Sequence, residues 1–444
     1  MIRLNKALNL DPSKLWLIHG KYYDLEPFMK EHPGGRRFLE QSRGRDCTEL
    51  FESIHLHEKL PKAMMKRFFV GDCPDGNNNW DWNEQGFYCT LKERVRAHFA
   101  KKGNDQGVNP GKLRNIHHGT TWFIIRLVLI LAVFALLSIG ALGYGSWICA
   151  LLWGLFVFAL GGYGHEAMHG GIFKSVRSNR IAALVLDMGG MSSYVFTAMH
   201  VPVHHIYTNV EGQDPDIEVH FPILRERESQ KRFFYHRFQH WYAWLIYAAT
   251  FPVSWVIDFF AMGSGTWIGP WGKMRKPYLA ETLLFGVFKI ISFSLWYVLP
   301  HVLLPWPTAL LIQLLMLGGA GLIVQGTFAS SHQNELAMNL DKRISEHPKD
   351  WGAQQLETTV DFQHGHWFPV TFSGGLGYQI EHHLFPTLSY SRLKEVAPIV
   401  RKTCEEFNIP YFYFPTVFHT YAAHFRFLKR MGKKQSEHGG KPRI

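Results

Sequence analysis

The chain has 444 residues, 47% of them apolar, and its 47 Lys and Arg against 36 Asp and Glu give a net charge of +11. Mean hydropathy is -0.09, an average over polar blocks that alternate with apolar stretches long enough to cross a bilayer. The basic residues are dispersed among carboxylates and flank the apolar runs, which suits anionic lipid headgroups and not nucleic acid, whose partners carry a basic patch or stripe.

Length predicts two or three domains. The start, MIRLNKALNLDPSK, has no apolar core of a secretory signal, so membrane insertion is expected to depend on an internal segment. Cys47, Cys73, Cys89, Cys149 and Cys404 are scattered without Cys-x-x-Cys spacing and read as reduced thiols of a cytosol-facing protein. Fifteen Trp, seventeen Tyr and thirty-four Phe fit aromatic belts at a membrane interface.

The first unit, residues 10–75, reads as small and α+β. Leu15–His19 and Tyr22-Tyr23 resemble short strands around a Gly20 turn, and Leu25–Lys30, Gly35–Ser42 and Thr48–Ser53 resemble short helices. Pro74–Gly86 reads as a linker. A basic amphipathic helix is expected over Thr90–Lys102, so that residues 76–115 connect the first unit to the remainder.

Residues 116–425 carry the apolar runs Thr121–Leu142, Tyr144–Gly161, Trp241–Met262, Glu281–Leu304 and Thr308–Phe328, and Arg126 can snorkel from one end of the first. The links Gly143–Ser146 and Pro305–Pro307 are short and uncharged, whereas the blocks before Thr121, after His169 and at 272–277 are basic. The basic blocks are therefore expected on the cytosolic face. For all histidine clusters to meet there, an even number of spans must lie between His205 and His382, so one of the three runs in that interval does not cross. Trp241–Met262, which carries Pro252 and Asp258, is the expected exception, leaving four spans. Residues 426–444 read as a basic tail that is solvated or faces headgroups.

The first histidine feature is His32-Pro33-Gly34-Gly35, followed by Gly44-Arg45-Asp46-Cys47-Thr48, Phe51 and His55. Two such loops can clamp a heme iron between imidazoles, and the glycine pair lets backbone approach a ring closely. With Trp16–Tyr23 upstream, this stretch resembles a cytochrome b5 domain. The resemblance implies His32 and His55 as axial ligands, with His57 a competitor for the second position. Ligation on both axial faces leaves no open site, so the unit is expected to transfer electrons.

Three further clusters follow. His165-Glu166-Ala167-Met168-His169 fits His-Glu-x-x-His, in which a zinc protease binds metal through both histidines and activates water with the Glu. Such an enzyme needs only one more ligand and leaves the other clusters unused. The second cluster is His200, His204 and His205; the third is Gln379, His382 and His383. Seven histidines are too many for one zinc and about enough for two irons with open positions. Asp214 and Asp216 either orient imidazoles through hydrogen bonds or are idle turn carboxylates. Glu166 and Glu381 read as groups behind the ligands, and Gln239-His240 as an interfacial contact.

These three boxes in this order, Gln379 opening the third and a cytochrome b5-like unit in front, resemble a front-end fatty acid desaturase from Trp16 to about Tyr413. The resemblance implies a mostly α, integral membrane domain with about four transmembrane helices under a cytosolic di-iron cap. It assigns His165, His169, His200, His204, His205, His382 and His383 to the di-iron centre, adds His332 as a further ligand, and makes Gln379 one directly or through water. It also implies heme b, O2, a polyunsaturated acyl lipid or acyl-CoA as substrate, NADH-cytochrome b5 reductase as donor, and an endoplasmic reticulum membrane location with both centres cytosolic. The methylene hydrogens to be removed have no acidity, so acid–base catalysis cannot serve and a redox metal with O2 is required. Fusion is expected to concentrate the electron donor without any tight interface. The spacing of His200 and His204, with Tyr207-Thr208-Asn209 and Asp214-Pro215-Asp216, looks more like delta-5 and delta-4 members than delta-6, and the stretch from Asp350 to Thr359 looks like delta-5 members, so delta-5 is expected. Delta-4, delta-6, delta-8 and sphingoid-base desaturases, and a fatty acyl hydroxylase, share the scaffold.

Overall fold

The computed structural model describes residues 11–57, 59–74, 80–108, 116–266, 272–338, 349–365, 372 and 375–433. The N-terminal unit pairs β1 (Trp16–Ile18), β2 (Lys21–Tyr23) and β3 (Phe69–Asp72) into an antiparallel sheet. Helices α1 (Arg36–Ser42), α2 (Thr48–Ile54) and α3 (Lys59–Met65) complete it. Too small to bury a large core alone, it shares one: Trp16, Ile18, Leu25, Leu50 and Phe51 cluster with Val195, Met199, Val203 and Ile206 of the second histidine segment.

The linker expectation is corrected at its far end. Residues 75–79 lie outside the described residues, but Trp80 is buried and Trp82 stacks on Trp351 with ring centroids 6.3 Å apart, because an indole in water would expose a large apolar face. The basic helix is longer than expected, α4 (Phe87–Asp105). Its Tyr88, Leu91, Val95 and Phe99 recur every three or four residues and are buried, the stripe that seats a helix on a core.

Among the described residues, four straight helices are long and apolar enough to cross a membrane: α5 (Thr121–Tyr144), α6 (Trp147–Met168), and, further on, Leu279–Leu303 and Trp306–His332. At 1.5 Å per residue they measure about 33 to 40 Å, against a hydrocarbon core of about 30 Å. They form two hairpins. Gly145 turns the first with φ +64°, a left-handed helix end that favours glycine, and the Ser146 hydroxyl caps α6 by accepting from the Cys149 N–H at 3.4 Å.

Between the hairpins, α7 (Val176–Gly189) and the helical segment α8 (Ser193–Tyr207) meet at 109°, and α9 (Phe234–Ala248) and α10 (Thr250–Ser264) at 73°. The second break falls in the Trp241–Met262 run, where Pro252 in the first turn of α10 starts a new helix but cannot continue an old one. The run therefore forms a bent pair of helices, a broken span or a re-entrant loop by length and composition, and not one straight span. The second hairpin is α11 (Leu279–Leu303) and α12 (Trp306–His332). Helices α13 (Trp351–Glu357), α14 (Gln379–Leu384), α15 (Tyr390–Glu406) and α16 (Val417–Met431) cap the ends of α6 and α12, and the short strands Asp361–Phe362 and Tyr413–Phe414 pair in parallel.

The tail expectation is also corrected. Arg426–Met431 finish α16, with Phe427, Leu428 and Met431 buried against Leu224, Ala243 and Tyr247; residues 434–444 lie outside the described residues. Gln239 is no surface contact but a buried clamp, its side-chain nitrogen donating to the carbonyls of Arg225 and Leu428, both at 2.8 Å. The cysteines are all free thiols.

Candidate metal centre and heme site

The donor atoms of His165, His169, His200, His205 and His382 lie within 4.8 Å of one another, and those of His204, His332 and His383 form a second such group. Local geometry explains the first pair: residues four apart share a helix face, and the rings of His165 and His169 stand 4.9 Å apart at the end of α6. The second cluster divides in a way that spacing did not predict. Its turn is widened, the His205 N–H bonding the His200 carbonyl five residues back, a π-type turn of the kind found at functional sites. In a regular helix those residues would point about 140° apart. Here their Nε2 atoms lie 3.0 Å apart, while His204 turns to the other group.

Hydrogen bonds fix most of the rings through Nδ1. That atom of His165 meets the Tyr390 hydroxyl, of His200 the Asp216 carboxylate at 3.4 Å, and of His332 the Thr358 carbonyl at 3.3 Å. His383 Nδ1 lies 3.1 Å from both Thr208 Oγ1 and Gln355 Oε1. Nε2 is thereby left to face the centre, the usual arrangement for metal-binding histidine. Asp214 and Asp216 thus orient imidazoles. Gln379 joins the second group, its amide 3.0 Å from His332 Nε2 and 3.4 Å from His383 Nε2.

The donor set fits metal. Both ring nitrogens of His169 and His382, Nε2 of His204, Nδ1 of His205 and Oε1 of Gln379 are buried without a hydrogen-bond partner, a cost that metal coordination removes. The protease reading does not fit. Glu166 sits about 100° round α6 from His165 and packs on Gly171, where a Cβ would come within 2.9 Å of its Cγ. Glu381 likewise turns from the histidines, its Oε1 accepting from Tyr411 at 2.9 Å; with Asp361 and His364 it forms a separate cluster that the sequence did not signal. Tyr390, Gln355 and Thr358 also gave no signal as orienting groups, because nothing in their spacing links them to histidines they meet only in three dimensions.

In the N-terminal unit the rings of His32 and His55 have centroids 6.2 Å apart, about what two imidazoles on opposite sides of one metal need with bonds of about 2 Å. Their Nδ1 atoms bond the carbonyls of Gly35 at 3.0 Å and Phe51 at 2.9 Å. Burial lowers the pKa of both, His55 to about 4, so both are neutral near pH 7, the form that binds metal. A Cβ at Gly34 would come within 2.9 Å of the His32 ring, which accounts for glycine there. His57 is drawn away, stacked on His117 at 4.9 Å.

The two centres are joined by a tight interface, contrary to expectation. Lys92 of α4 donates to Glu52 Oε2 at 2.6 Å and to the Glu52 carbonyl at 2.7 Å. Arg45 donates to the Lys273 carbonyl at 3.0 Å, the Tyr278 hydroxyl to Glu40 Oε1 at 2.5 Å, and Arg37 pairs with Glu281. Beside the histidines opens a cavity of about 710 Å³, lined by Leu131, Phe134, Trp153, Gly161, His165 and Trp296 among others. From Trp153 to His165 it follows α6 for about 18 Å.

A facing pair of imidazoles in a small α+β unit, clamped to a polyhistidine cluster at the ends of four candidate spans and beside an apolar cavity, suits a membrane-bound redox enzyme. Residues 143–415 match the fatty acid desaturase family and residues 4–74 the cytochrome b5-like heme/steroid binding domain. The chain belongs to the fatty acid desaturase family, among the front-end members that carry their own cytochrome b5 domain. It is 29% identical over 440 residues to the probable Delta(5) fatty acid desaturase C of Dictyostelium discoideum, covering 95% of this chain and 93% of that protein. It is 31% identical over 457 residues to the acyl-lipid (8-3)-desaturase of Physcomitrium patens, covering 95% and 89%. The sn-1 linoleoyl-lipid 6-desaturase of Arthrospira platensis is 29% identical over 350 residues, covering 78% and 92%. These families imply heme and a pair of irons.

Proposed function

We propose that the enzyme inserts a cis double bond at the delta-5 position of a polyunsaturated acyl chain. The observation that supports desaturation is the gathering of the histidines into groups of five and three, with His165 lining the apolar cavity; the delta-5 position is favoured by similarity to relatives of that name. In it, His165, His169, His200, His205 and His382 would hold one iron, and His204, His332, His383 and Gln379 would hold the other. His32 and His55 hold heme b. When loaded, the irons supply the oxidising power to break two unactivated C–H bonds, with O2 taking up the hydrogens and two further electrons and protons to leave water.

The chain's own residues do the rest. The cavity shields the acyl chain from water, and its apolar wall, which includes Trp153 and Trp296, fixes how deep the chain enters past His165 and so selects the carbon presented. Asp214, Asp216, Gln355 and Tyr390 hold the imidazoles in register. The clamp through Lys92 and Glu52 keeps the heme unit beside the metal centre. NADH-cytochrome b5 reductase is the proposed donor and the endoplasmic reticulum membrane the proposed site, with both centres cytosolic because the basic blocks flank the same helix ends as the histidines. The relatives' names include both Delta(5) and 6-desaturases, so regiochemistry is what the experiment must decide. Expressed in yeast fed with C18 and C20 polyunsaturated acids, the chain should yield delta-5 products located by mass spectrometry. New bonds only at position 6, 8 or 4, or in sphingoid bases, would reject delta-5.

A further inference from the structure

We infer that Tyr88 is the bridge by which electrons pass from the heme unit to the histidine centre, a role that rests on the heme and di-iron reading above. Tyr88 lies on α4, outside both the heme fold and the histidine boxes, and is buried. Its hydroxyl donates to the Leu384 carbonyl at 3.0 Å and stands 3.5 Å from the Glu52 carbonyl. Each neighbour adjoins a proposed ligand. Leu384 follows His383 in the chain, and Glu52 follows Phe51, whose carbonyl bonds His55 Nδ1 at 2.9 Å. One phenol therefore closes the gap between the two redox sites by a route of covalent bonds and short polar contacts. Electron tunnelling falls off more slowly along such a route than across empty space.

The ring makes a second connection. It stands edge-on to Trp351 at 4.8 Å, and Trp351 Nε1 donates to the Ile206 carbonyl at 3.3 Å, next to His205. Lys92 and Glu52 hold the phenol in place, the Lys92 ammonium lying 5.8 Å from its ring. With the groups bound, each transfer would carry one electron from the heme held by His32 and His55, oxidised from ferrous to ferric, to one iron held by the histidine groups, reduced from ferric to ferrous. Tyr88 is neither oxidised nor deprotonated, and two transfers drawn from NADH through the reductase serve each double bond.

The test uses the full-length protein loaded with heme and iron. The heme is pre-reduced, and its reoxidation is followed optically in the presence of acyl substrate and O2. Tyr88→Phe keeps the ring contacts and removes only the hydroxyl. It should slow heme reoxidation at least fivefold while the heme spectrum, midpoint potential, iron content and melting temperature stay at wild-type values. Trp351→Phe, which touches only the second connection, should slow it less. Wild-type reoxidation in Tyr88→Phe at full iron content overturns the bridge, as does a larger effect from Trp351→Phe. Failure of the wild-type protein to bind non-heme iron or to reoxidise its heme would instead reject the underlying reading.

Discussion

Asp214 and His204 are both buried, and Asp214 Oδ1 lies 3.0 Å from His204 Nδ1. The carboxylate is itself held by the N–H groups of Asn209 at 2.7 Å and Asp216 at 3.0 Å, so it fixes the ring and aims Nε2 at His332 and His383. Removing a carboxylate behind a metal-binding histidine costs about 10- to 100-fold in affinity or activity. Asp214→Asn should lower iron content or turnover by that range, measured by elemental analysis and product formation. Wild-type values for both would remove Asp214 from the site.

The two centres should be separable by substitution. His383→Ala should abolish product and leave the heme absorption unchanged, because the ring lies in the three-histidine group. His55→Ala should remove the heme absorption and product but leave the non-heme iron. Product formation by His383→Ala would exclude that residue as a ligand.

Gly161 gives a way to shorten the cavity. It lines the chamber one turn before His165, and a Cβ built there meets nothing within 4 Å. Gly161→Leu should fill the chamber without straining the helix, since leucine is the better helix former. Conversion of long chains should fall at least tenfold with iron content unchanged. An unaltered chain-length profile would show that the acyl chain lies elsewhere.

The interface carries a pH signature. Burial alone would raise the Glu52 pKa, but His19, Lys92 and Lys62 outweigh it and hold the carboxyl well below its ordinary range. A carboxyl with a depressed folded-state pKa stabilises above the unfolded value of about 4.3 and loses that contribution only as pH falls towards the folded value. Docking of the heme unit should therefore be constant from pH 8 to 5 and weaken in stronger acid, as read by limited proteolysis. Glu52→Gln removes the carboxylate that Lys92, Lys62 and His19 share and should lower the melting temperature, a loss that Lys92→Met should restore in part in the double variant. A neutral result for Glu52→Gln would mean the clamp does not hold the unit.

What could be read from the chain was whatever local rules control. The boxes at His165–His169 and His382–His383, the glycines behind His32, the apolar runs and the break at Pro252 are set by neighbours within a turn or two. What escaped depended on contacts between segments far apart. Tyr390 meets His165, and Gln355 meets His383, across gaps that no periodicity encodes. The buried Trp80 and Phe427 sit in stretches whose polar neighbours hid them. The interface was missed because fusion alone does not demand it; Lys92 and Glu52 carry no mark of partnership in their own segments.

The sequence by itself determined the membrane-bound class, the cytochrome b5-like unit in front and the supply of histidines, since composition, hydrophobic run length and helical spacing act over short range. Only the tertiary structure decided that those histidines divide five and three, that a widened turn sends His204 one way and His205 the other, and that Tyr88 lies between the two centres. Those choices follow from how α4, α8, α13 and α14 pack around the ends of α6 and α12, and packing is settled by the whole chain at once.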